Sequence, residues 1–117
     1  MSQKPETKFR KKVREKLAII PKTYFESIQQ LGICGTPDLL GCVGPLFVAI
    51  EIKTDIGISS ALQIYKRKKI AETGSIAMVI APHNLEASIK FIENISKQCT
   101  TNLHDKCNIN KKERTDA

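Results

Sequence analysis

Asp38, Glu51 and Lys53 are the residues whose types and spacing suit chemistry. Glu51 and Lys53 interrupt the segment Leu46-Phe47-Val48-Ala49-Ile50-Glu51-Ile52-Lys53, and Asp38 follows Gly35-Thr36-Pro37. A nearly continuous apolar run reads as a central strand buried on both faces. The preceding Asp38-Leu39-Leu40-Gly41-Cys42-Val43 reads as a second strand, with Gly44-Pro45 as the turn between them. If the two form an antiparallel hairpin about that turn, Asp38 lies opposite Glu51. Alternation sets Glu51 and Lys53 on one side of their strand and Ile50 and Ile52 on the other. Facing carboxylates repel, and a divalent cation between them removes that cost. Hard oxygen ligands select magnesium or manganese over zinc or copper. The expected chemistry is hydrolysis of a phosphate ester. The cation polarises the phosphate and helps supply hydroxide, while Lys53 orients or deprotonates the attacking water or stabilises charge on phosphorus. The backbone carbonyl of Ile52 is expected to complete part of the metal shell. A register slip of one residue would put the acids on different faces. The plainer alternative makes Asp38 a turn acid and Glu51 with Lys53 a strand-end salt bridge.

The remaining elements have to position these groups. Phe9, Val13, Leu17 and Ile20 recur at helical spacing, which predicts a helix from residue 5 to about 20, stopped by Pro21. Tyr24 to Leu31 fits a short helix or a strand equally. After Lys53 a glycine-containing loop leads to Ser59 or Ser60, the cap of a helix running to about Thr73, where Gly74 closes it. Ser75 to Ala81 predicts another strand, and Pro82-His83-Asn84 leads into a helix with Leu85, Ile89 and Ile92 on one face. This order predicts an α/β fold, a central mixed sheet covered by helices on both sides. One folded domain is expected over residues 1–98, with a polar tail over 99–117.

The chain has 117 residues, 41% of them apolar, enough for one domain with a modest core. Nineteen Lys and Arg against 12 Asp and Glu give a formal charge of +7, which favours a polyanionic partner. No run of about twenty apolar residues exists, and a charged N-terminal stretch precedes the first hydrophobic one; neither a membrane span nor a secretory signal is expected. Cys34, Cys42, Cys99 and Cys107 read as reduced thiols in a cytoplasmic protein. Cys99, His104 and Cys107 lack the paired spacing and fourth ligand of a structural zinc site.

The segment Gly35-Thr36-Pro37-Asp38-Leu39-Leu40-Gly41, followed by Phe47 to Lys53, resembles the PD-(D/E)XK nuclease superfamily, and within it the virus-type replication and repair nuclease domain, VRR-NUC. The resemblance continues through Ser60-Ala61-Leu62-Gln63 and Gly74 to Pro82, and spans roughly residues 6–95. It implies that Asp38 and Glu51 bind metal, that Lys53 serves catalysis and that Gln63 supports the site. Gln63 also stands three residues after Ser60, where it can close a capping box. The family places an acid in its first helix. Glu6 shares the stripe of Phe9, Val13 and Leu17, whereas Glu15 is expected to face water, so Glu6 is the expected acid. The resemblance further implies branched or junction DNA as substrate, and it favours a phage-encoded protein acting in the bacterial cytoplasm.

Lys8, Lys11 and Lys12 on the first helix and Lys66 and Lys69 on the second are expected to track DNA phosphates without reading sequence. A homodimer is expected if the substrate has two strands to cut. Tyr24, Phe25 and Tyr65 are candidates for its interface. Rival readings are a non-catalytic DNA-binding or assembly module on the same fold, a sequence-specific restriction-type enzyme, and a flap-directed or end-directed repair nuclease.

Overall fold

The hairpin is built as its turn demands. In the computed structural model, which describes residues 5–28, 36–54 and 59–99 with side chains from Thr7 onward, β2 (Leu39–Val43) and β3 (Leu46–Ile52) pair antiparallel from Val43 opposite Leu46 to Leu39 opposite Ile50. Only Gly44 and Pro45 separate the strands, and Gly44 adopts φ 57°, the left-handed conformation a two-residue hairpin needs at its first central position. This is the register reflection about the turn predicts. Asp38 lies one residue beyond the last pair, next in line to face Glu51.

β1 (Thr23–Ser27) adds to β2 antiparallel, and β4 (Ile76–Ile80) adds to β3 in parallel, giving the order β1-β2-β3-β4. The parallel pair requires a crossover, supplied by α2 (Ala61–Glu72). One face of the sheet presents Leu39, Val43, Val48, Ile50, Ile52 and Ile80 to Val13, Leu17 and Ile20 at α1 (Pro5–Ala18) and to Leu85, Ile89 and Ile92 of α3 (Leu85–Gln98). The opposite face, with Leu40, Phe47 and Glu51, meets Lys66, Arg67, Lys69 and Ile70 of α2. Helices therefore flank the mixed sheet on both sides.

Element ends follow local chemistry. The Ser60 hydroxyl accepts from the Gln63 N–H at 3.1 Å while Gln63 Oε1 accepts from the Ser60 N–H at 2.8 Å, a complete capping box. Gly74 follows the helix at φ 88°. Because α2 has no buried residue, the cap matters more than usual to its stability. Ser60→Ala is expected to cost about 1 kcal/mol and to lower the midpoint of a circular-dichroism melt by roughly 4–8 °C. An unchanged midpoint would show that α2 is held by something other than its cap.

The segment with two readings, Tyr24 to Leu31, forms β1 over its first part; residues 29–35 lie outside the described residues. The first helix ends at Ala18, two residues before the expected limit, and α3 ends at Gln98. The tail from residue 100, with His104 and Cys107, and also Cys34, lie outside the described residues. Among the described residues, Cys42 and Cys99 are free thiols, no helix is long and apolar enough to cross a membrane, and no group of three or more His, Cys, Asp and Glu is placed to hold a metal ion.

Candidate active site

Asp38 stands where the β2 ladder ends and continues it in both directions. Its carbonyl accepts from the Ile28 N–H at 2.9 Å on the β1 side. On the β3 side its carboxylate replaces the backbone, Oδ2 accepting from the Ile52 N–H at 2.7 Å. The other oxygen, Oδ1, receives Arg10 of α1 at 2.6 Å. Asp38 is thus fixed to three elements, and its side chain retains 26% exposure toward a cleft of about 350 Å³ lined by Arg10, Arg14, Ser27, Ile28, Leu39 and Ile52.

Glu51 occupies the opposite sheet face from Ile50 and Ile52, as strand alternation requires, with only 4% of its side chain exposed. Arg67 of α2 reaches its Oε2 at 2.6 Å. Burial pushes the Glu51 carboxyl above its ordinary pKa, with Lys53 and Arg67 opposing that rise and the Asp38 charge adding to it. The two carboxylates thus engage different helices, Asp38 meeting Arg10 of α1 and Glu51 meeting Arg67 of α2. Lys53 follows the last residue of β3 and is anchored through its N–H, which donates to the Ile80 carbonyl at 3.0 Å.

The other expected residues divide. Gln63 is committed to the capping box, where it fixes the start of the helix that carries Arg67 one turn further on. Glu6 lies within α1, but its side chain is outside the described residues. Glu15 faces solvent and pairs with Lys11 at 4.0 Å. Lys8, Lys11 and Lys12 are exposed. Lys66 and Lys69 line a shallow groove with Thr36, Pro37, Leu40, Phe47 and Ile70, and Lys69 sits 5.6 Å from the Tyr65 ring centre. The cations that meet the acids are Arg10 and Arg67. Both had a signal: Arg10 borders the apolar stripe of α1, and Arg67 falls four residues after Gln63.

An α/β sheet whose acid-bearing strand ends sit between two helices is the class this fold defines. A solved structure of a VRR-NUC domain superposes on it with a TM-score of 0.59 at 18% sequence identity, covering 73% of this chain and 94% of that one. The chain has the fold of a VRR-NUC domain. No family model matches the chain, and no curated protein matches it.

Proposed function

We propose that this chain is a divalent-metal-dependent DNA endonuclease that hydrolyses phosphodiester bonds in branched DNA such as four-way junctions. The observation that carries the reading is the convergence of Asp38, Glu51 and Lys53 at one end of β2 and β3 on a VRR-NUC fold. The donor chemistry fits magnesium, with manganese able to substitute. Both acids offer hard oxygens, Asp38 opens to a water-accessible cleft, and Mg²⁺ is commonly held by one or two carboxylates with water and substrate phosphate completing its shell. Asp38, Glu51 and the Ile52 carbonyl would hold the ion, and Glu6 is the candidate further acid. When bound, it supplies charge to polarise the scissile phosphate and to lower the pKa of a water.

The chain's own groups do the rest. Asp38 and Glu51 fix where the ion would sit, Lys53 orients the attacking water and offsets charge developing on the phosphate oxygens, and Gln63 acts as a positioning residue by holding the start of α2. Lys8, Lys11, Lys12, Lys66 and Lys69 would contact backbone phosphates. A homodimer would present two such sites to a junction with matching symmetry.

One observation favours a second reading. Arg10 pairs with Asp38 and Arg67 with Glu51, an arrangement that suits a non-catalytic DNA-binding module. Cleavage of a labelled four-way junction, beside linear duplex and single strands, separates the two. In Mg²⁺ or Mn²⁺ the protein is expected to cut the junction in pairs. EDTA should abolish cutting, and Lys53→Ala should slow it on the order of 10²–10³-fold. Binding without cleavage of any substrate would support the module instead. Cleavage confined to another DNA form would keep the nuclease and overturn the junction preference.

A further inference from the structure

The cleft beside Asp38 contains more than the acid site uses. Arg14 lies one helical turn beyond Arg10, about 6 Å along the axis of α1, and its guanidinium approaches the Ser27 hydroxyl of β1 at 3.5 Å. Both face the cleft that Asp38 and Ile52 also line, over a floor that includes buried Leu39. A second cavity of about 370 Å³ shares Arg14, Ser27 and Leu39 and continues along the α1–β1 seam past Thr23 to Tyr24. The two together form a trough that starts at Asp38 and runs between α1 and β1.

We propose that Arg14 and Ser27 form the seat for one backbone phosphate of the DNA strand being cut, the phosphate next to the scissile one. A guanidinium fork beside a hydroxyl, both exposed, is a donor set suited to phosphate oxygens. Arg10 is engaged with Asp38 at the acid end, which leaves Arg14 as the cation one step along, on the scale of a single nucleotide. The inference deepens the nuclease reading and rests on it for the identity of the polyanion. It differs from a general basic surface in assigning the contact to particular residues.

The test is equilibrium binding of a fluorescently labelled four-way junction to the full chain in EDTA, so that no cutting intervenes. Arg14→Gln is compared with Lys90→Gln, which removes the same charge from an exposed position on α3, and with Ser27→Ala, which removes no charge. Arg14→Gln is expected to weaken binding about tenfold and Ser27→Ala about threefold, with Lys90→Gln close to wild type. The slope of log affinity against log salt should flatten by about 0.9 in Arg14→Gln alone. Equal losses in Arg14→Gln and Lys90→Gln, or no binding by the wild type, would overturn the seat. Cleavage that proceeds with Arg14-independent binding overturns the seat and keeps the nuclease; Arg14-dependent binding without cleavage does the reverse.

Discussion

Glu51→Gln is expected to slow the proposed cleavage on the order of 10²–10³-fold while making the metal-free protein more stable at neutral pH. The two effects have one cause. Burial raises the Glu51 carboxyl above its ordinary pKa, so the folded chain holds that proton more tightly than the unfolded chain does. Wild-type stability from this group is therefore greatest in acid. It falls as pH rises from the ordinary carboxyl value through the raised folded one, and above that window the cost of the buried charge is complete. Glutamine keeps the shape and an oxygen for Arg67 but carries no charge. Denaturant melts in EDTA should show the variant above wild type at neutral pH, with the difference shrinking on acidification. A variant less stable than wild type at neutral pH would mean that the Arg67 ion pair outweighs the burial. Added Mg²⁺ should reverse the order, since an ion at a hundred times its Kd stabilises the binding-competent wild type by about 2.7 kcal/mol.

Gly41→Ala is expected to be the most damaging single methyl in the described chain. A Cβ there would lie 2.0 Å from the Tyr24 carbonyl oxygen and 2.8 Å from the Phe25 Cα, backbone atoms that cannot rotate away, with the Phe25 ring at 2.6 Å. β1 would have to leave β2, and with it the Ile28 N–H that holds the Asp38 carbonyl. The expected loss is about 3 kcal/mol, read as a lower urea midpoint with an unchanged slope. A loss under about 1 kcal/mol would show that β1 shifts cheaply. Any fall in cleavage should follow the unfolded fraction and any displacement of Asp38.

Residues that reveal their role through their neighbours were the ones legible in the sequence. β3 announced itself because two charges break an apolar run, and the glycine-proline turn set the register that brings Asp38 toward Glu51. α3 was legible from Leu85, Ile89 and Ile92, all buried on one stripe. β1 was not: an edge strand with Tyr24 and Glu26 exposed and Phe25 partly buried carries too little apolar signal, and Phe25, Ile28 and Leu31 fit a helix as well. The arginine partners were obscured by numbers. Nineteen basic residues make every lysine and arginine a candidate, and Lys16, which pairs with Glu86, borders the apolar stripe of α1 as closely as Arg10 does. Gln63 shows one residue type serving two expectations, since its spacing suits the site and its hydrogen bonds serve the cap.

The parallel pairing of β3 with β4 also sets the direction of the helix between them. α2 leaves the carboxyl end of β3 and returns toward the start of β4, so its amino end lies at the end of the sheet where Asp38, Glu51 and Lys53 gather. The peptide dipoles of a helix sum to roughly half a positive charge there. The first turn of α2 contains no acidic residue to offset it. The crossover therefore contributes a fixed positive potential at that end of the sheet, one that no protonation or side-chain motion can withdraw.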